Sequence, residues 1–530
     1  AGARYRYRLD GEDTFPDYAS RYQPEGVHGP SEVTDPTAFR WEATDWEGVP
    51  QERLVFYELH LGTFSPEGTF AGAEARLEHL RDLGVTAVEL MPVADFPGRW
   101  NWGYDNAALY APSRAYGRPD DLRRFVDRAH GLGLAVFLDV VYNHLGPDGA
   151  YLPAYTPAFT DRHTTPWGQA MNLDDDGSEG LRALFLDNAL HWLREYRFDG
   201  LRLDATHALV DDSETHFLQE LSEAVAALHG PRRILVAEDH RNLNHLVRPR
   251  PDGYGLDAVW ADDLHHLVRN LTAGDEEGYY ADYAGTTASD IAGALSRAWF
   301  YDGRPSRVTG EPRGTSARGV RPDQAVVCIQ NHDQIGNRPT GTRLTHDVPL
   351  ATYRAASALL LFAPHLPLLF QGQEWAASTP FLFFTDHNDE LGALVSKGRK
   401  EEFRDFPGFE GEVPDPQDPE TFRRSRLDWS EPERNGHAHT LALYRALLAL
   451  RRDLSGPAQA EAHGTHALSV RRGRHLLLVA FDAADLSLPA GASPFLHTEH
   501  PDFAPDPHPP ETDRQRLRFA RPGAAVYLLP

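Results

Sequence analysis

Eight short apolar runs, each followed by a segment of helical period or a long polar loop, predict an α/β chain folded as a (β/α)8 (TIM) barrel. It carries a short excursion after strand three and a small carboxyl-terminal all-β domain. A second observation is where the unusual residues fall: carboxylates, histidines and amides collect at the carboxyl ends of these runs. A third is the change beyond Arg451, where short alternating runs replace helical ones.

Taken in order, residues 1–45 are rich in Pro, Gly and acidic turn residues and lack the periodicity of a core. They read as the remnant or linker of an amino-terminal β domain, or as a wrapping arm. The barrel is expected over 46–452, with strands at 54–61, 87–93, 135–141, 200–205, 234–239, 257–263, 325–333 and 366–374. Helical period marks 73–83, 120–132, 180–196, 213–229, 288–299 and 350–362. The gap at 142–177 is too long for a simple βα loop, so it reads as an excursion over the barrel mouth. Residues 302–323 read as a mobile loop, 392–428 as an acidic, proline-punctuated connector, and 453–530 as the β domain, with runs at 475–481 and 516–529.

At 530 residues the chain has room for both domains. Its formal net charge of -26 argues against nucleic acid or an anionic membrane surface as partner, because both need a basic footprint. Cys328 is the only cysteine, so neither an internal disulfide nor a cysteine-based metal cluster can form. No apolar run is long enough to span a membrane and no signal peptide is visible, so a cytoplasmic location and a monomer or weak homodimer are expected.

The stretch 198–205, FDGLRLDA, places two opposite charges where a buried strand should carry none. Period 2 sets Arg202 and Asp204 on one face and Leu201 and Leu203 on the other. Alone, the pair reads equally well as a buried device that holds register. Further strand ends tip the balance: DVVYNH at 139–144, AEDH at 237–240, QNHDQ at 330–334 and QGQEW at 371–375. In such a barrel the working residues come from these positions. Three carboxylates converging on a mouth lined with His and Trp suit glycosidic bond cleavage, which needs one ionised and one protonated carboxyl. Arg202 favours the ionised form of Asp204, the nucleophile candidate. Glu238 has Val236 two positions before it and so no cation on its own strand; it is the acid candidate. No paired-His spacing on one helix appears, so neither a catalytic metal nor a cofactor is expected.

These four blocks, DVVYNH, GLRLDATH at 200–207, AED at 237–239 and NHD at 331–333, resemble the four ordered regions of the α-amylase family of glycoside hydrolases, glycoside hydrolase family 13. The resemblance covers residue 50 to the end. It implies Asp204 as nucleophile, Glu238 as general acid/base and Asp333 as the carboxylate that grips sugar hydroxyls. It also implies Arg202, His144, His332 and Tyr104 of NWGYD around the ring being cleaved. The two reacting carboxyls would lie about 5 to 5.5 Å apart, the spacing for a retaining mechanism.

Within that family, AEDHRN at 237–242, WADDLHH at 260–266, EGYY at 277–280, QNHDQIGNR at 330–338, FQGQEW at 370–375 and TPFLFFTDH at 379–387 resemble the malto-oligosyltrehalose trehalohydrolases. This implies malto-oligosyltrehalose and related α-glucans as substrates, and release of trehalose. A pocket for trehalose would draw hydrogen bonds from Asp263, His265 and His266 after strand six, and from Gln334 and Asn337 after strand seven. His207, Glu374 and Trp375, also at strand ends, complete the expected substrate contacts. The rival readings are a glycogen branching enzyme, an ordinary α-amylase and a catalytically silent glucan-binding protein. The first resembles His-Asp-Glu where this chain has His332-Asp333-Gln334.

Overall fold

The computed structural model describes residues 1–11, 13–404, 411–513 and 515–530. All eight runs form strands: β1 (Phe56–Leu59), β2 (Ala87–Leu90), β3 (Ala135–Val140), β4 (Gly200–Leu203), β5 (Ile234–Glu238), β6 (Ala258–Trp260), β7 (Ala325–Val327) and β8 (Leu366–Phe370). They are parallel and close into a barrel in sequence order, with β8 pairing back to β1. Each strand is covered on both faces, which is why it reads as a near-continuous apolar run.

Alternation divides the core. Phe56, Ala87, Ala135, Phe137, Val236, Trp260 and Leu368 fill the interior, while Tyr57, Leu59, Leu138, Leu201 and Leu203 join the larger cluster under the surrounding helices. The same alternation carries Glu58, Glu89, Asp139 and Arg202 inward, one step closer to the carboxyl end. The barrel therefore has an apolar base and a charged upper layer.

Beyond the barrel, residues 493–497 and three other strands flank His475–Ala480 in a five-stranded antiparallel sheet, and three further strands pack on it, giving the small all-β carboxyl-terminal region. The predicted run 516–529 breaks into two strands, Arg516–Phe519 and Gly523–Leu528, in different sheets. The excursion is an antiparallel hairpin, Phe159–Thr165 with Gly168–Met171, behind a short turn. Residues Tyr151 and Tyr155 of this excursion pack on Phe15 of the amino-terminal arm, whose two-residue strands pair as two two-stranded sheets.

Three expectations change. Asp263, His265 and His266, expected as pocket residues after strand six, lie in an α-helix, Asp263–Ala273, whose Leu264, Leu267, Val268 and Leu271 face the core. The expected connector contains helices Asp389–Phe403 and Pro419–Arg424; its residues 405–410 lie outside the described ones. The loop expected to be mobile is tied down by Arg313 on Asp282 and by Thr315 on Asn242 and Asn244. Among the described residues no helix is long and apolar enough to cross a membrane.

Candidate active site

The register of β4 against β3 sets Arg202 beside Asp139. The Arg202 Nη1 group donates to both Asp139 oxygens, at 3.0 and 2.8 Å, and to Asp204 Oδ1 at 2.6 Å. Its guanidinium, fully buried, lies over the Trp260 ring at 4.4 Å. Burial alone would lower the Arg202 pKa, but Asp139, Tyr104, Asp204 and Glu238 raise it well above the usual value. Burial pushes the Asp139 carboxyl up to about 7 against the pull of Arg202. The second Asp204 oxygen accepts from Asn143 Nδ2 at 2.9 Å, so both are engaged.

Glu238 ends β5 on the next strand. One oxygen accepts the Ala205 N–H at 2.7 Å, and Ala205 stands in the left-handed region at φ 40° and ψ 54°, which aims that amide at the glutamate. The cation absent from its own strand comes from β4: Arg202 Nη2 lies 3.9 Å away. Burial nevertheless wins. It raises Glu238, with the Asp204 and Asp333 charges assisting, to about 8.

Asp333 opens the short helix His332–Gly336, where Asn331 caps the Gln334 N–H. Burial pushes its carboxyl up, but His332 beside it and Arg202 outweigh that and bring it down to about 2. The His332 ring stacks on Tyr104 at 5.4 Å, and its Nε2 lies 2.8 Å from the Tyr104 hydroxyl, which itself donates to Asp139 at 2.7 Å. Gly103 permits this approach, since at φ 108° a Cβ there would stand 2.3 Å from the Pro92 carbonyl.

Above these groups opens a cleft of about 690 Å³ lined by Tyr104, His144, His207, Asp204, Glu238 and Asp333, with Trp102, Trp167 and Phe383 as its aromatic walls. His144 donates to the Tyr104 carbonyl at 2.8 Å and stacks flat on Trp167, ring centroids 5.1 Å apart. Trp167 sits at the hairpin tip, half exposed. His207 meets the His240 ring edge-on at 4.6 Å. Gln334 and Asn337 lie beside Asp333, and Asn337 Nδ2 is 3.4 Å from its Oδ1.

Other expected contacts belong elsewhere. Asp263 accepts the Tyr283 hydroxyl, the backbone N–H groups of Phe300 and Tyr301 and the Asn242 side chain, so contacts within the fold, not a sugar, consume its oxygens. His265 is held between the Ile329 carbonyl and the Tyr280 hydroxyl. His266 is buried among Tyr279, Tyr280 and Tyr283, and burial lowers its pKa well below the usual value. Glu374 bonds Tyr57 and His79, and Trp375 packs on Trp429, both fully buried on the outer side of the barrel wall. Gly372, left-handed at φ 78°, turns the chain away from the mouth just before them. Phe381 and Phe384 are core, while Phe383 reaches the cleft.

Sequence reasoning missed Trp167, which lines the cleft, and gave no role to Asp139 and Asn143 of the DVVYNH block, which bond Arg202 and Asp204. Among the described residues, His163, Asp174 and Asp212 have the spacing to hold a metal ion, but Asp174 already faces Arg162 at 3.4 Å and its other oxygen takes the Asp212 N–H.

Comparison with known proteins gives the family and the fold. Residues 31–158 match the model of the alpha-amylase catalytic domain. A malto-oligosyltrehalose trehalohydrolase of Deinococcus radiodurans is 53% identical over 458 residues, which span 85% of this chain and 74% of that protein. One from Arthrobacter ramosus is 45% identical, spanning 92% and 86%. A solved structure, a putative alpha amylase from Salmonella typhimurium, superposes with a TM-score of 0.91 at 38% identity, covering 99% of this chain and 90% of that one. A 1,4-alpha-glucan branching enzyme of Vibrio parahaemolyticus matches only 41% of this chain, at 34% identity. The chain belongs to the malto-oligosyltrehalose trehalohydrolase family, a branch of the α-amylase family.

Proposed function

We propose that the chain is a retaining hydrolase that cleaves the α-1,4-glucosidic bond next to the terminal trehalose of malto-oligosyltrehalose, releasing trehalose and a maltooligosaccharide. Asp204, bonded to Arg202 and Asn143, attacks the anomeric carbon as the ionised carboxylate. Glu238 delivers its proton to the departing glycosidic oxygen, then takes one from the water that resolves the glycosyl-enzyme. Asp333, Tyr104, His144 and His332 grip the ring that becomes positively charged. His207, Gln334 and Asn337 serve the leaving group side.

One observation carries this reading: a carboxyl held protonated to about pH 8 stands against a second carboxyl bound to a guanidinium. That is the opposed pair the two roles require. In the same reading the chain divides at 45/46 and 452/453, and substrate enters the barrel mouth. It acts as a monomer or weak homodimer in the cytoplasm, on α-glucans and not on nucleic acid or membrane.

The test is to incubate the enzyme with maltopentaosyltrehalose and with amylose and resolve the products. Trehalose plus maltopentaose from the first, with little action on the second, is the expected outcome. New α-1,6 branches or a spread of maltodextrins would overturn it.

A further inference from the structure

Two glutamates lie side by side beneath the site, in adjacent strands and in register: Glu58 on β1 and Glu89 on β2. Both are 1% exposed. Two neighbouring carboxylates in such a place cannot both be ionised. Their surroundings differ. Glu58 accepts two N–H groups of one residue, the His332 amide at 3.0 Å and the His332 Nδ1. Glu89 has an Oε2 that is buried without a partner.

The hydrogen-bond directions around His332 are fixed by its neighbours. Tyr104 gives its single proton to Asp139, so the Tyr104 oxygen accepts from His332 Nε2. The Nδ1 proton goes to the Glu58 carboxylate. Both ring nitrogens are thus donors, which only the imidazolium provides, and its Nε2 also lies 3.3 Å from Asp333 Oδ1.

We propose that Glu58 is a positioning residue that holds His332 as an imidazolium beside Asp333, while Glu89 next to it is a neutral acid. The inference rests on the hydrolase reading, in which Asp333 and His332 serve the ring being cleaved. Other groups facing His332 are Asp139, Tyr104, Asp333, Glu89, the buried His60, whose own pKa burial lowers with the His332 charge helping, and the rings of Trp102 and Trp260. Burial disfavours the imidazolium, but Asp333 and Glu58 outweigh it and raise its pKa well above the ordinary range. Burial, then Glu58 and Asp139, raise Glu89 likewise. Glu58 therefore acts through His332 and touches no sugar: it sets the charge of the hand that holds Asp333.

The experiment compares Glu58→Gln and Glu89→Gln with the wild type by two readouts. The first is the ¹⁵N signal of the His332 ring, assigned by its loss in His332→Gln. The second is kcat and KM on maltopentaosyltrehalose from pH 5.5 to 8. Wild type and Glu89→Gln should both show an imidazolium throughout and the same pH profile, with kcat within about twofold. Glu58→Gln should show a ring that titrates near neutrality. Its kcat should fall about tenfold or more at pH 8, much less at pH 5.5, with a smaller change in KM.

A neutral His332 ring in the wild type overturns the proposal. So does a Glu58→Gln loss of equal size at both pH values, the mark of a merely structural part. An altered profile in Glu89→Gln would reverse the assignment of the two glutamates and overturn it too. Should Glu58→Gln not fold, Glu58→Asp replaces it and must keep the imidazolium. The ring signal needs no substrate, so it reads this inference even if the products refute the hydrolase reading.

Discussion

Replacing Glu238 by Gln should make the protein more stable and nearly inactive at once. In the native state its carboxyl keeps a proton up to about pH 8, whereas an ordinary glutamate loses it near 4.5. Between those values the folded protein holds a proton that the unfolded chain releases, so stability falls as pH rises through the window, by about 1.4 kcal/mol per pH unit. At pH 7 the carboxyl therefore costs up to about 3 kcal/mol, an upper bound because the charges of Arg202, Asp204 and Asp333 act on it in opposite directions. Gln keeps the bond from the Ala205 N–H and needs no proton to be neutral. Urea unfolding should show Glu238→Gln more stable than wild type by about 2 to 3 kcal/mol at pH 7 and level with it at pH 4.5. Turnover of maltopentaosyltrehalose should drop by about 10²- to 10⁴-fold, the usual worth of a general acid, and a glycosyl fluoride, which needs no proton to depart, should largely keep its first step. Full activity on the ordinary substrate, or an equal stability gain at both pH values, would refute the reasoning.

Further outcomes follow from the same contacts. In the wild type, kcat/KM should decline above about pH 8 as Glu238 ionises, measurable as the alkaline limb of the pH profile. Arg202→Met leaves Asp139 and Asp204 buried without their cation and should cost about 3 to 5 kcal/mol in urea unfolding. Asp263→Ala orphans two backbone N–H groups, the Asn242 side chain and the Tyr283 hydroxyl; thermal unfolding should reveal a loss of about 2 to 4 kcal/mol, while KM of the folded fraction changes little. Trp167→Ala removes a half-exposed ring stacked on His144 and should raise KM several-fold with Tm almost unmoved.

The barrel was legible because strands buried on two faces are written as apolar runs, and the misplaced charges of FDGLRLDA pointed to β4, where Arg202 bonds Asp204. The same kind of signal stands in FYEL and AVEL, where Glu58 and Glu89 interrupt equally apolar strands; a consistent search for charge inside buried runs would have found them. The helix Asp263–Ala273 is absent from the predicted ones because its polar start masks the helical spacing of Leu264, Leu267, Val268 and Leu271. Glu374 and Trp375 stand after a strand as catalytic residues do, but the left-handed turn at Gly372 is a backbone event that the side chains around it do not declare. Trp167 is an aromatic in a loop, and only the hairpin's fold-back on His144 gives it a place.

The left-handed Ala205 joins two groups that otherwise belong to different strands. Its carbonyl neighbour in the chain bears one reacting carboxyl and its own N–H holds the other. The gap between nucleophile and acid is therefore gauged by a single peptide unit, stiff by nature, instead of by two swinging side chains. Such a backbone calliper keeps its setting while the loops that choose the sugar are free to change.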